Sequence, residues 1–249
     1  MIGLIGSGNM ARALALGWAE PVLCTDSGSG RAKELASLVG GEAVASNREL
    51  AERADVVVLA HKPAQLRGVA QEIAGAPRCV VSLLAATTQA QLREAYPGIP
   101  VFRVEPNTPV EVRRGVLAFA RPDAEYDEER HAELLELFGR VGTVVEVPEP
   151  LVGVAGAVSG VGPAYWALLV EAQVDAGIRR GLSPQVASTL VTETMAGAAA
   201  LLRAREYDTL ALRRAVTSPG GTTARGLAAL ERGGVRAAFN QAMDDAVDS

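Results

Sequence analysis

The chain has 249 residues, 49% hydrophobic and 21% charged, with a formal net charge of −5 at pH 7. That balance is ordinary for a globular protein and allows a sizeable core in one large domain or two smaller ones. The negative charge argues against a general nucleic-acid binder, and two cysteines are too few for a disulfide framework.

Cys24 and Cys79 both sit in apolar, strand-like runs without metal-ligand spacing, which points to a reducing compartment and to no metal site. Aromatic residues make up only 4%, so the expected core is Ala, Val and Leu. The sequence opens directly in M-I-G-L-I-G, with no basic segment and no signal-peptide pattern, and a cytoplasmic protein is expected.

Met1–Ile5 predicts a strand, G-S-G-N-M-A at 6–11 a Gly-rich turn, and the pattern through Trp18 a helix. Gly6 suits a tight turn, Gly8 lets backbone approach a pyrophosphate, and Ala11 is the third small position where helix and strand pack. P-V-L-C-T-D supplies a second strand ending in Asp26, placed where an acid would bind a ribose 2′-hydroxyl. The competing reading, an incidental Gly-rich turn, loses ground in that context. Alternation continues with a helix at Ala32–Val39, a short strand at Glu42–Val44 and a helical turn or two at Asn47–Arg53.

Val56–Ala60 reads as a strand buried on both faces of a parallel sheet, followed by H-K-P-A-Q-L at 61–66. Strand ends of this kind line the ligand crevice, which places Lys62 and Pro63 near a cofactor; His61 reads as a polar loop residue. Cys79–Leu83 leads to L-A-A-T-T, and Ile99–Val104 leads to E-P-N-T-P, where Asn107 and Thr108 could hold a ligand or cap a turn. A strand at Gly115–Ala120, a charged helix around 125–139 and a strand at Val141–Val147 complete an α/β half, with the boundary at 148–149.

From there the period changes to that of helices. Residues 151–170 carry no charge and have about the length of a bilayer span, but Gly160, Gly162 and Pro163 interrupt them, so a buried helix pair with a tight break is expected. Tyr165–Arg180 and a helix capped by Ser183–Pro184 and running to about Arg203 follow. V-T-S-P-G-G-T-T at 216–223 then breaks the helical pattern. Its glycines and the next helix's N-terminus would suit a small carboxylate or phosphate. Thr222 and Thr223 could instead merely cap a helix at 224–231.

These motifs resemble pyrroline-5-carboxylate reductases, in order and almost end to end: G-S-G-N-M-A at 6–11, S-N-R-E-L at 46–50, H-K-P at 61–63, P-N-T-P at 106–109, S-G-V-G-P-A-Y at 159–165 and V-T-S-P-G-G-T-T at 216–223. The chain departs from the family's usual pattern at His61 (Val there), Ala86 (Gly), Glu105 (Met) and Val161 (Ser). The resemblance implies an α/β Rossmann domain over 1–148 and an all-α dimerisation domain over 149–249. It also implies a homodimer able to assemble into rings, with neither nucleic acid nor membrane as partner. It assigns the cofactor's pyrophosphate to Gly6, Ser7, Gly8, Asn9 and Met10, and its adenine ribose to Asn47 beside Asp26 and Ser27. Lys62 and Pro63 fall to the ribose–pyrophosphate region, and Ala85, Ala86 and Asn107 to the nicotinamide side. The substrate carboxylate falls to Ser218, Gly220, Gly221 and Thr222, with Thr223 at the ring nitrogen as the catalytic group. NADP(H) is the expected cofactor, with NAD(H) possible: Asp26 favours the latter, while Ser27, Ser29 and Arg31 form a loop able to hold a 2′-phosphate.

Two other readings compete. A β-hydroxyacid dehydrogenase needs a base in its helical half, a lysine in that family, and no lysine follows Lys62. A protein that senses the nucleotide without turnover would not need the intact S-P-G-G-T-T loop.

Overall fold

The computed structural model describes residues 1–122 and 126–247. Its strands are β1 (Ile2–Ile5), β2 (Val22–Thr25), β3 (Glu42–Ala43), β4 (Val56–Leu59), β5 (Val80–Ser82), β6 (Val101–Pro106), β7 (Gly115–Ala120) and β8 (Gly142–Val147). The helices between them are α1 (Asn9–Trp18), α2 (Arg31–Val39), α3 (Asn47–Arg53), α4 (Leu66–Glu72), α5 (Gln89–Ala95) and α6 (Glu128–Gly139). Then come α7 (Val152–Ser159), α8 (Gly162–Ile178), α9 (Pro184–Ala204), α10 (Thr209–Ala215), α11 (Thr222–Arg232) and α12 (Val235–Val247). The expected start of the charged helix at residue 125 lies outside the described residues.

One eight-stranded sheet runs in the order β3-β2-β1-β4-β5-β6-β7-β8. Neighbours are parallel except β6 and β7, which pair antiparallel. The strand order reverses between β1 and β4, and that switch point opens a crevice at the carboxyl ends of the strands.

Two apolar layers flank the sheet. Ala11, Leu14 and Trp18 of α1, Leu35 of α2, and Leu134 and Phe138 of α6 pack with Leu4, Val58, Phe102 and Phe119. Leu50 of α3, Val69 of α4 with Ile73 just after it, and Leu92 of α5 pack with Val57, Leu59 and Val80. The core is therefore less purely aliphatic than composition suggests. Trp18 and three of the four phenylalanines are buried in it, and Phe102 and Phe119 pack on the His131 ring at centroid distances of 5.9 and 5.2 Å. Few aromatics still suffice when four of the ten are placed at one junction.

Two helices were not anticipated, α4 and α5. For α5 a signal was present. Thr88 accepts from the Gln91 backbone N–H while the Gln91 side chain accepts from the Thr88 N–H, the T-x-x-Q form of a capping box. Both helices have only seven residues, too short for periodicity to stand out.

The chain divides into two compact units, 1–163 and 164–249. The change of period at 148–149 precedes that division because α7 packs on β6 and β7. Among the described residues of the second unit every element is helical; Tyr165 of α8 meets Phe239 of α12 edge-on at 6.4 Å. The expectation of a buried helix pair over 151–170 is corrected in part. The break is there at Gly160–Val161, and α7 buries Val152 and Ala157, but α8 does not sink into the single chain: Trp166 is 54% and Leu168 64% exposed. A lone chain offers α8 no second layer to bury both its sides. The run Glu149–Ile178 is long and apolar enough by composition to cross a bilayer, with only 22% of its most apolar window buried.

Candidate active site

The residues expected to hold a dinucleotide lie on loops or helix starts that follow β1 to β6, at the carboxyl edge of the parallel strands. At the first turn Gly6 has φ +98°, and a β-carbon there would come within 2.7 Å of the Ala60 carbonyl and the His61 nitrogen. Only glycine lets β1 turn that close to the end of β4. Ser7 is buried and donates its hydroxyl to the Thr25 carbonyl at 3.0 Å, tying the turn to β2. Gly8 is the N-cap of α1, with extended backbone, no side-chain cap and no acid in the first turn. A β-carbon on Gly8 would meet nothing within 4 Å. Uncapped backbone N–H groups beside open space fit a pyrophosphate. Asn9 is exposed there, while Met10 leans on the core.

Asp26 is committed to its own loop. Oδ1 accepts from the Gly28 N–H at 2.8 Å, and Oδ2 accepts from the Ala32 N–H and the Ser29 hydroxyl, both at 2.9 Å. The Ala32 amide above all, with Ser29, Gly28 and Arg31, holds this carboxyl below its usual range. It thereby caps the start of α2 and shapes the exposed Ser27–Gly30 turn; Oδ1 keeps one acceptor direction for a ribose hydroxyl.

Asn47 opens α3 and spans two elements: its Oδ1 accepts from the Thr25 hydroxyl and its Nδ2 donates to Glu72, each at 2.6 Å. Lys62 and Pro63 are exposed just beyond β4, where the Lys62 N–H donates to Gln65 Oε1 at 3.1 Å. His61 is more enclosed than a loop residue should be. Nδ1 lies 2.9 Å from the Lys62 carbonyl, Nε2 is buried with no hydrogen-bond partner among the described residues, and burial pushes its pKa down, favouring the neutral ring.

Ala85 and Ala86 form an exposed turn after β5, and Ala86 has φ +52°. A left-handed backbone of this kind favours glycine over alanine. Asn107, at the end of β6, is buried: Oδ1 accepts from the Val116 N–H at 2.8 Å, and Nδ2 donates to the Ser159 carbonyl at 2.9 Å. Its amide therefore pins the end of α7 to the sheet and keeps one N–H for another partner.

In the second unit the S-P-G-G-T-T loop forms the entry to α11. Gly220 has φ +68°, the Gly221 N–H donates to the Ser218 carbonyl at 3.0 Å, and Arg225 Nη1 donates to the Gly220 carbonyl at 2.8 Å. The N-cap is Gly221, without a side-chain cap and without an acid in the first turn. The expected capping role of Thr222 and Thr223 is thus corrected. Both are inside the helix, Thr222 exposed and Thr223 half-buried, because Gly221 already supplies the extended backbone a cap needs. Their hydroxyls are left for other work.

Sequence reasoning passed over a polar cluster beneath α7. Buried Arg103 donates to Glu149 at 3.1 Å, Gln89 donates its backbone N–H to Glu149 at 2.9 Å, and Glu105 lies 3.7 Å from Arg103. The signal was charge at alternate positions, R-V-E, across the end of the strand expected at Ile99–Val104, which runs on to Pro106.

The model for pyrroline-5-carboxylate reductase dimerisation matches residues 149–249, and that for NADP oxidoreductases, coenzyme F420-dependent, matches 1–86. The pyrroline-5-carboxylate reductase of Mycobacterium tuberculosis is 37% identical, over 98% of this chain and 94% of its own length. That of Synechocystis is 34% identical, over 97% and 94%. The chain belongs to the pyrroline-5-carboxylate reductase family. The crystal structure of the Plasmodium falciparum pyrroline carboxylate reductase with NADP bound superposes with a TM-score of 0.88 at 27% identity, covering 99% of this chain and 95% of that one. The α/β Rossmann-type sheet followed by a helical dimerisation region, expected from the motifs, is what these relatives share.

Proposed function

We propose that this protein reduces the C=N bond of 1-pyrroline-5-carboxylate to L-proline, the last step of proline biosynthesis, with NADPH preferred as hydride donor and NADH accepted. Membership of the reductase family at 34–37% identity over nearly the whole chain carries this reading. The bound nicotinamide supplies the hydride. Gly6, Ser7, Gly8, Asn9 and Met10 hold the pyrophosphate on the amides that open α1. Asp26, Ser27 and Asn47 take the adenosine ribose, Lys62 and Pro63 the neighbouring phosphate, and Ala85, Ala86 and Asn107 the nicotinamide side.

Residues 149–249 form the substrate-binding and dimerisation domain in this reading. Ser218 and the amides of Gly220, Gly221 and Thr222 hold the substrate carboxylate at the positive end of the α11 dipole. The Thr223 hydroxyl hydrogen-bonds the ring nitrogen as its charge changes. No strong side-chain base is needed, because orientation by itself can supply roughly 7–11 kcal/mol of the barrier. The apolar residues that α8 exposes support a homodimer, able to build a ring, rather than a membrane span, in the cytoplasm.

Incubating the purified protein with NADPH or NADH and pyrroline-5-carboxylate, while following loss of reduced nicotinamide and formation of proline, tests the activity. A folded protein that binds the dinucleotide and turns over with neither would be a sensor instead. Light scattering checks the assembly: an active monomer at micromolar concentration rejects the dimer.

A further inference from the structure

Glu105 has no evident structural reason to be a carboxylate. On β6, Arg103 and Glu105 share one face by the two-residue period of a strand, and the chain leaves the sheet at Asn107. Arg103 is buried and already paired: its Nη1 lies 3.1 Å from Glu149 Oε1, and Glu149 is further held by the Gln89 backbone N–H. Glu105 Oε2 reaches Arg103 Nη2 only at 3.7 Å, and among the described residues no donor hydrogen-bonds its carboxylate. Its Oε1 rests on α7 at Gly156, where a β-carbon would overlap it. The three side chains carry one positive and two negative charges, so the cluster has a net charge of about −1 in a half-buried place. Burial raises the Glu105 pKa, with Arg103 opposing. An apolar side chain would fill this space without that desolvation cost.

The cluster stands at the carboxyl end of β6, two residues before Asn107. Resting on the reading above, in which Asn107 marks the nicotinamide side, we propose that Glu105 tunes the cofactor electrostatically, its charge favouring the cationic oxidised nicotinamide over the neutral reduced ring. In the reaction a hydride leaves C4 with both electrons of its bond and forms the new C–H bond at the imine carbon. The C=N π pair moves to nitrogen, neutralising a protonated imine, and the nicotinamide becomes a cation. A fixed negative charge near the ring lowers the energy of that charge distribution. Glu105 is a positioning residue for charge and touches neither substrate nor the reacting atoms.

The test is equilibrium titration of the full-length protein and its Glu105→Gln variant with NADP⁺ and NADPH separately, repeated with NAD⁺ and NADH. Gln keeps the shape against Gly156 and removes the charge. The ratio of dissociation constants, oxidised over reduced, should rise roughly three- to tenfold in Glu105→Gln, almost all of it from weaker binding of the oxidised form. Hydride transfer in a single turnover should slow by a smaller factor, and Glu105→Asp should restore the ratio. If Glu105→Gln does not fold, Glu105→Met provides the same charge removal. An unchanged ratio overturns the inference, as does an equal weakening of both forms, which would mean that Glu105 only shapes the sheet edge. A wild-type protein that binds no dinucleotide overturns the reductase reading first, and this one with it.

Discussion

The N-termini of α1 and α11 are made to one pattern. Each has a glycine N-cap in extended conformation, with φ −79° and ψ −173° at Gly8 and φ −68° and ψ 174° at Gly221. Each follows a left-handed glycine, Gly6 or Gly220, and neither has a side-chain cap or an acid in its first turn. Their surroundings differ. Behind Gly8, α1 buries Ala11, Ala13, Leu14, Ala15, Gly17 and Trp18 in its unit, whereas α11 has no buried residue in the single chain. The same local device is thus rigid in one unit through tertiary packing and in the other awaits a second layer. A turn that presents backbone amides is a local property; the precision with which it holds them comes from what lies behind.

The largest break in that comparison is expected at Gly6. Gly6→Val puts a branched side chain into φ +98° and against the Ala60–His61 backbone just beyond β4, and should cost at least about 3 kcal/mol, read as loss of the cooperative melt. Gly8→Val, facing open space, should leave the melting curve nearly unchanged and weaken dinucleotide binding at least about tenfold, measured by calorimetry. If both variants fall together in stability, the separation between turn and seat is wrong.

Next comes Thr223→Val. The residue does not cap α11, so stability should move by less than about 0.5 kcal/mol. Turnover should fall one to two decades, the worth of roughly 1–3 kcal/mol for one lost hydrogen bond. Thr222→Val, at the neighbouring exposed position, should be milder because its amide remains. An unaltered single-turnover rate for Thr223→Val would falsify its catalytic assignment.

At Asp26 the effect is smaller and has two parts. Asp26→Ser should raise the preference for NADPH over NADH several-fold by removing a negative charge near the 2′-phosphate. It should also lose about 1 kcal/mol of capping at α2. Since this carboxyl's folded pKa is depressed, its stabilisation is present above its unfolded pKa and fades as pH falls through the folded one. The wild-type excess stability over the variant should therefore shrink on acidification, which thermal melts at stepped pH would show. A constant difference across the acid range would mean that the cap is uncharged or unimportant.

The smallest change is a gain: Ala86→Gly relieves left-handed backbone at φ +52° and should stabilise by up to about 1 kcal/mol, with activity retained. A loss of stability would place the entropy of the added glycine above the strain.

Much of this molecule was determined by sequence on its own. The alternation of β-branched runs with 3.6-period helices specified the parallel strands, and glycines at 6, 8, 220 and 221 specified the two amide-bearing turns, because both depend on residues adjacent in the chain. Helix existence was legible where an amphipathic pattern was long, and was lost in the seven-residue α4 and α5. Only the tertiary structure decided that Asp26 spends its carboxylate on α2, that Asn107 joins β6 to the end of α7, and that Gly221 rather than a threonine caps α11. It alone brought Gln89, Arg103, Glu105 and Glu149 into one cluster, from positions up to sixty residues apart. A side chain's partners are set by packing across the sheet, and a linear pattern carries no record of which distant donor will satisfy a given acceptor.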